Sequence, residues 1–408
     1  MTSGHLLAAM SYMTDIAPEG CCCHSWRVAL VGQRLASIVA PDQRRDVFYA
    51  GLLQDLGAVG AQQHITHYTS LSAQMADQHI LTHPQRSAAI IEWLPGMQAV
   101  ADLVRYHHEW WDGGAYPERR SGNNIPLGSQ ILRLADSVDT AGCFTSSSNL
   151  SSGLKQLAVL TGHAWSNDIW RLLIESLSDG EFYRSLMTPE MLPEMISKCC
   201  VELEASSELE NEDSTERILH IFAAMVDLKA PATAGHSLRT ARYAKSLAGY
   251  CGLYPEEVTM AYRAGLVHDC GRVGLPASLV NRSGRLTDKE KQLVRAHAAM
   301  TIRVLSCLPD CPEMIAIGAI AGHDHERYDG QGYPDKIAGN NIAPVSRVLS
   351  AVDAFDAMRA ARSDRLLSPK AAVVRLQQGA GTQFDPEVVD AMVELVASGE
   401  LEEQDAAA

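Results

Sequence analysis

The second half of the chain carries a set of histidines and aspartates whose types suit metal-dependent hydrolysis. Imidazole and carboxylate ligands together suit Mn²⁺, Fe²⁺, Ni²⁺ or Zn²⁺. Seven such residues exceed one coordination sphere and suffice for two divalent ions, which can activate water and clamp a phosphoryl group. The set predicts phosphodiester hydrolysis, and its members are His236, His268, Asp269, His297, Asp324, His325 and Asp353.

A buried histidine taken alone is more often a satisfied core residue than a ligand, so the context of the set matters. The adjacent pair His268 and Asp269 allows one imidazole and one bridging carboxylate at a helix end, where Gly271 and Gly274 break the apolar pattern. Asp353 lies in the apolar context LSAVDAFD. An ionised aspartate there is costly unless something compensates its charge, and a metal ion does so.

The chain repeats itself over nearly its whole length, so the histidine pattern occurs twice. HHEWWDGGAYP at 107–117 matches DHERYDGQGYP at 324–334, and both are followed by Asn-Asn-Ile and then Pro. AGLLQDLGAVG at 50–60 matches AGLVHDCGRVG at 264–274. Scattered structural histidines would not be expected to divide in this way, so the chain is predicted to be a tandem duplication.

The duplication predicts the domain boundaries. The N-terminal copy spans residues 1–180 and the C-terminal copy spans residues 217–400. Between them, residues 181–216 are expected to form a helix and an acidic linker, because they end in a run rich in glutamate. Residues 401–408 form an acidic tail.

Helical signals dominate and no alternating strand pattern of any length occurs. The sequence HSLRTARYAKSLAGYC at 236–251 follows the 3.6-residue period of an amphipathic helix. Thr287 and Glu290 form a capping box that opens a helix carrying His297, and Asp385 precedes a proline at a predicted helix start. The expected fold class is all-α, with two helical bundles in tandem.

The amino-acid composition excludes some classes of binding partner. A net charge of −15 argues against a sequence-independent DNA or RNA binder, although local arginines or metal ions can still attract a small anionic substrate. No apolar run approaches a membrane span and no targeting segment is recognisable. The ten cysteines show no disulfide framework. A cytoplasmic location is expected, with neither DNA nor a membrane as partner.

With these motifs in view, the C-terminal copy resembles the HD-GYP family of metal-dependent cyclic dinucleotide phosphodiesterases. The resemblance rests on the metal-binding set together with Glu326 and the complete motif Gly332-Tyr333-Pro334. It implies two HD-type bundles and the hydrolysis of a cyclic dinucleotide, chiefly cyclic di-GMP, to a linear dinucleotide or a mononucleotide. A close variant is an enzyme for 3′,3′-cyclic GMP-AMP.

The resemblance also implies a role for each residue. Asp269 would bridge two divalent transition-metal ions, one held by His236, His268 and Asp353 and the other by His297, Asp324 and His325. Asp269 and Arg272 would be catalytic. The residues expected to bind substrate are Tyr333, Arg362 and Arg365.

Three positions depart from the family pattern. Asp324 stands where the family has histidine, which alters the metal site and leaves activity in question. Arg272 replaces a lysine, and arginine keeps the charge but is a poor proton donor. Ala232 occupies the position of a glutamate that members with three ions carry, so a site for two ions is expected.

The N-terminal copy resembles a degenerate HD-GYP domain. It keeps His24, Asp55, His83, His107, His108 and Asp136. However, Gln54 replaces the histidine of the HD pair, Ala58 stands at the lysine position, and Thr145 and Ser148 replace both phosphate anchors. These losses predict a non-catalytic copy, whose ability to hold one metal ion stays open.

Two other classes of function remain open at this point. A catalytically inactive nucleotide receptor or protein-interaction scaffold is favoured by Asp324 and opposed by the complete HD pair and GYP loop. An HD hydrolase acting on nucleotide monophosphates is disfavoured by the GYP loop. Further expectations are a protein partner at that loop and a homodimer.

Overall fold

A computed structural model describes residues 2–204, 212–282, 284–359 and 366–401. The chain divides into two compact units. The N-terminal unit comprises Met1–Ile16, Gly20–Ile218 and Cys307–Asp310, and the C-terminal unit comprises Ala17–Glu19, Leu219–Ser306 and Cys311–Ala408.

The N-terminal unit is built from α-helices joined by short 3₁₀ turns and one pair of two-residue strands. The strands are β1 (Ile16–Ala17), whose second residue is grouped with the C-terminal unit, and β2 (Gly20–Cys21). Its 3₁₀ turns are Pro41–Gln43, Leu56–Ala58, Ile65–His67, Gly122–Asn124 and Pro189–Met191. Its helices are α1 (Ser3–Asp15), α2 (His24–Val39), α3 (Arg44–Leu53), α4 (Leu71–Ala76), α5 (Gln78–Ile91), α6 (Gln98–Arg105), α7 (Leu127–Thr140), α8 (Ser147–Ala158), α9 (Asn167–Leu177), α10 (Gly180–Met187) and α11 (Leu192–Glu204).

The rest of the described chain is helical as well. Its 3₁₀ turns are Pro231–Thr233, Cys270–Gly274 and Gly339–Asn341. Its helices are α12 (Glu212–Lys229), α13 (His236–Tyr250), α14 (Pro255–Val267), α15 (Ala277–Val280), α16 (Asp288–Leu305), α17 (Pro312–Gly322), α18 (Pro344–Arg359), α19 (Pro369–Gln378) and α20 (Pro386–Ser398). The predicted all-α class is therefore confirmed.

Helix starts follow the local signals. Thr287 caps α16 in a capping box with Glu290, and Asp385 caps α20 ahead of Pro386. The acidic stretch between the copies is helical at both of its described ends, where α11 ends at Glu204 and α12 begins at Glu212. In the described ranges no helix is long and apolar enough to cross a membrane.

One close approach of helices is repeated in both units. A Cβ on Gly265 of α14 would lie 2.6 Å from the Cα of Ala241 on α13, and a Cβ on Gly51 of α3 would lie 2.6 Å from the Cα of Ala29 on α2. Only glycine allows this spacing, because a side chain would overlap the facing backbone. The contact aligns the start of α13 with the end of α14, and likewise α2 with α3, where the HD-type ligands lie.

Candidate metal centre

Five helices of the C-terminal unit bring the predicted ligands together. His236 opens α13, His268 follows the last residue of α14, and Asp269 comes next. The others are His297 within α16, Asp324 and His325 just after α17, and Asp353 within α18. We call these seven residues the C-terminal cluster. Most of them are buried, whereas the side chains of His325 and Asp353 are 18% and 16% exposed and mark the open side.

Two groups form within the C-terminal cluster. His236, His268 and Asp353 offer ligand atoms that all lie within 4.8 Å of one another, and so do Asp324, His325 and Asp353. His297 joins the second group, since its Nε2 is 3.1 Å from Nε2 of His325. These groups coincide with the two ligand sets that the resemblance implies, except that Asp353 is near both.

Asp269 lies between the two groups. Its Oδ2 is 3.6 Å from Nε2 of His268, and its Oδ1 is 3.5 Å from Nε2 of His297. One carboxylate oxygen therefore faces each group, which is the arrangement that a bridging ligand needs.

Hydrogen bonds at the far side of each ring turn nitrogen lone pairs into the C-terminal cluster. Nδ1 of His268 donates to the carbonyl oxygen of Gly265 at 2.8 Å, and Nδ1 of His297 donates to that of Val294 at 2.6 Å. A carbonyl can only accept, so in a neutral ring the proton is on Nδ1 and Nε2 is the free ligand atom. Nε2 of His268 nevertheless lies only 3.3 Å from Nε2 of His236.

Two carboxylates of the C-terminal cluster also lack hydrogen-bond donors among the described residues. Neither oxygen of Asp269 or Asp324 accepts a hydrogen bond from any residue that the structure describes, although both side chains are buried. Arg272 Nε is 2.8 Å from Asp269 Oδ1, an ion pair without hydrogen-bond alignment. Buried acceptors that converge without donors are costly. A pair of divalent cations would resolve this, so the residues present fit such a centre.

The electrostatics favour positive charge at this place. Burial, together with the neighbouring Asp353 and Asp269, raises the pKa of Asp324 well above its usual range. Burial lowers the pKa of His236, but Asp353 and Asp356 outweigh it and raise that pKa to about 10. Carboxylates are thus crowded more closely than they can be ionised together, unless a cation lies among them.

Of the three residues that the resemblance assigns to substrate binding, the structure describes only Tyr333. The ring of Tyr333 lies 4.9 Å from that of His325, and the guanidinium of Arg295 lies 5.2 Å from the ring of Tyr333. Arg362 and Arg365 lie outside the described residues. His323, one residue before Asp324, contacts Asp335 at 2.9 Å.

Sequence reasoning missed Asp356. Its Oδ2 accepts from Nδ1 of His236 at 2.7 Å, and Arg239 donates to both of its oxygens. It thereby orients the imidazole that opens α13. A usable signal existed, since aspartates spaced three residues apart occur in both copies as Asp136 with Asp139 and Asp353 with Asp356.

Glu326 was recognised in the sequence as part of the motif but without a role, and in the structure it holds the GYP loop. Its carboxylate accepts from the backbone N–H groups of Asp335, Lys336 and Ile337 at 2.7, 2.9 and 3.1 Å. In the N-terminal copy, Glu109 accepts in the same way from two backbone N–H groups. The glutamate of the motif is therefore a loop anchor.

In the N-terminal unit, the histidines and aspartates at the equivalent positions also lie together in one cluster. Nδ1 of His24 bonds to Asp139 at 2.7 Å, and His24 Nε2 lies 3.4 Å from both Asp55 and Asp136. The amide of Gln54 donates to Asp55 at 3.3 Å in place of an imidazole. We call His24, Asp55, His83, His107, His108 and Asp136 the N-terminal cluster.

Comparison with known proteins agrees with this architecture. The HD domain family profile matches residues 27–152 and 220–388. The 3′3′-cGAMP-specific phosphodiesterase 3 of Vibrio cholerae is 30% identical over 320 residues, 78% of this chain and 67% of that protein. The 3′3′-cGAMP-specific phosphodiesterase 1 of the same organism is 25% identical over 91% of this chain and 86% of that protein.

Other relatives match less than half of this chain. A cyclic di-GMP phosphodiesterase of Vibrio cholerae is 31% identical over 206 residues, 47% of this chain and 42% of that protein. Among solved structures, a cyclic GMP-AMP specific phosphodiesterase of Vibrio cholerae (V-cGAP3) superimposes with a TM-score of 0.68 at 21% identity, covering 97% of this chain and 98% of that chain. This likeness shows the fold.

The two matched segments together cover most of the chain. The second contains the whole C-terminal cluster, and the first contains every member of the N-terminal cluster except His24. The chain therefore belongs to the HD domain family, in the group of HD-GYP phosphodiesterases, as its motifs predict.

Proposed function

We propose that this protein is a metal-dependent phosphodiesterase that hydrolyses a cyclic dinucleotide at the C-terminal cluster. The observation that carries the proposal is the position of Asp269, with one oxygen toward His268 and the other toward His297. Two divalent transition-metal ions, when bound there, would generate the attacking nucleophile from water and neutralise charge on the phosphoryl oxygens.

The protein residues have distinct tasks in this proposal. Asp269 and the histidines fix the spacing between the two groups of ligands. Arg272 is half-buried beside Asp269. Burial lowers the pKa of its guanidinium, but the neighbouring Asp269 carboxylate helps to raise that pKa above its usual value, so Arg272 stabilises negative charge on the phosphate and does not protonate the leaving oxygen. His325 and Asp353, at the open side, would meet the substrate first.

For the substrate we favour 3′,3′-cyclic GMP-AMP over cyclic di-GMP. The relatives whose similarity extends over both copies are named as phosphodiesterases specific for 3′3′-cGAMP. The relative named for cyclic di-GMP aligns over less than half of this chain. Both of these long matches carry the name of the first activity, which supports that choice for this protein.

The N-terminal copy is proposed to be non-catalytic. Gln54 offers a carboxamide, which is a weak metal ligand, and its amide already donates to Asp55. Ala58 provides no cation at the position of Arg272. A protein partner at the GYP loop, a homodimer and a cytoplasmic location stay predictions from the sequence.

The test is hydrolysis by the purified full chain, after reconstitution with Mn²⁺ or Fe²⁺. We expect turnover of 3′,3′-cyclic GMP-AMP with a higher kcat/KM than that of cyclic di-GMP, loss of turnover in chelator, and recovery on adding metal back. A preference for cyclic di-GMP would overturn the substrate choice. A metal-loaded, folded protein that binds either nucleotide without hydrolysing it would favour the receptor, for which Asp324 is the supporting observation.

A further inference from the structure

We propose that the N-terminal unit binds one Zn²⁺ ion through His83, His107 and His108, in a site separate from the C-terminal cluster. The three rings are buried, and their ligand nitrogens all lie within 4.8 Å of one another. This site does not depend on the proposed reaction, because no step of that reaction uses it.

Hydrogen bonds to the backbone indicate where the protons of two of these rings lie. Nδ1 of His83 donates to the carbonyl oxygen of Ile80, and Nδ1 of His107 donates to that of Val104, both at 2.6 Å. In the neutral rings both Nε2 atoms are therefore unprotonated, yet they lie 3.3 Å apart. Asp55 Oδ1 is also 3.3 Å from Nε2 of His83. Three acceptors thus converge, and a cation among them removes the repulsion.

The spacing suits a tetrahedral ion. Zn–N bonds of about 2.0–2.1 Å place neighbouring ligand atoms of a tetrahedron roughly 3.3–3.4 Å apart. The separation of 3.3 Å between His83 and His107 agrees with this value. The C-terminal cluster has Asp324 at the position of His107, so the N-terminal site is richer in imidazole. Imidazole suits Zn²⁺, whereas carboxylates suit Mn²⁺.

Only one ion is expected, because Arg133 and His24 already contact the carboxylates Asp55 and Asp136 of the N-terminal cluster. Arg133 donates to Asp136 at 2.9 Å and also lies 3.2 Å from Nδ1 of His108. Nε2 of His24 lies 3.4 Å from a carboxylate oxygen of Asp55 and 3.4 Å from one of Asp136. The C-terminal copy has Ser350 at the position of Arg133. Arg133 competes with the ion for His108, so it should weaken the site.

The test is metal content, measured on the full chain without reference to activity. In an Asp269→Ala/His297→Ala background, which disables the C-terminal cluster, we expect one Zn²⁺ per chain after gel filtration, and no Mn²⁺ retained. His107→Gln should remove that ion, whereas His163→Ala, at an exposed histidine of the same unit, should not. Arg133→Ser should tighten Zn²⁺ binding.

A second measurement protects the test against misfolding of the background variant. Zn²⁺ content should fall by one ion per chain between the otherwise unaltered protein and His107→Gln, with both shown to be folded by circular dichroism. Equal metal content in these two proteins, or no Zn²⁺ in a folded background variant, would overturn the proposal. A proton on one of the imidazoles would then be the cation that separates the converging acceptors.

Discussion

The two clusters share one scaffold but differ in what balances their buried charge. In each copy a histidine at the start of a helix bonds through Nδ1 to an aspartate at 2.7 Å, His24 to Asp139 and His236 to Asp356. In each copy an arginine one turn later, Arg27 or Arg239, pairs with the same aspartate. The His–Asp–Arg arrangement that orients the first ligand is therefore the same in both copies, although some of the ligands themselves differ.

The difference lies at a few positions. In the C-terminal cluster, His268 completes the first group of ligands, and Ser350 stands at the position equivalent to Arg133. In the N-terminal cluster, Gln54 and Arg133 supply an amide donor and a guanidinium to Asp55 and Asp136. Side chains of the protein itself thus contact these two carboxylates of the N-terminal cluster, while the equivalent helices surround both clusters.

The largest difference between the two copies is expected at the equivalent aspartates Asp269 and Asp55. Asp269→Ala should lower kcat by at least about a thousandfold, equivalent to about 4 kcal/mol, because it removes the carboxylate between the two groups of ligands. Asp55→Ala should leave the chemical step nearly unchanged. Steady-state hydrolysis of 3′,3′-cyclic GMP-AMP at saturating Mn²⁺ measures both effects.

The matched pair also separates alternatives. An inactive Asp55→Ala beside an active Asp269→Ala would reverse the roles of the two copies. Thermal unfolding of both variants controls for a loss of structure, and the metal content of each shows whether an effect on rate follows from an effect on binding.

Effects of intermediate size are expected at the aspartates that orient the first histidine. Asp356→Ala frees the ring of His236, so metal affinity of the C-terminal cluster should fall by roughly 10–100-fold. Asp139→Ala, the equivalent change beside His24, should leave that affinity unaltered. Competition titration of each variant with a chromogenic chelator measures the affinities, and equal losses in both variants would show that the effect is not local.

Much of the C-terminal cluster could be predicted from the sequence, because the residue types of metal ligands are few and the repeat marked the equivalent positions. Helix starts at Thr287 and Asp385 were equally readable, since capping is a local interaction. Asp356 and Arg133 were not found. Their roles depend on which helix faces α13 or α6, and that is a property of the tertiary fold.

The smallest effect is expected where the copies differ only in the number of hydrogen bonds. Glu326 accepts three backbone N–H groups beyond the GYP motif, and Glu109 accepts two. Glu326→Gln replaces one accepting oxygen by a donor that faces N–H groups, so it should destabilise the loop by about 1–2 kcal/mol. Glu109→Gln should destabilise its loop by less.

Hydrogen exchange at residues 335–337 and 118–120 measures the two losses of stability separately, because only the loop beside the altered glutamate should exchange faster. Since Glu326 adjoins His325, kcat should fall modestly in Glu326→Gln and stay constant in Glu109→Gln. A larger loss of protection at 118–120 than at 335–337 would contradict the count of hydrogen bonds as the cause.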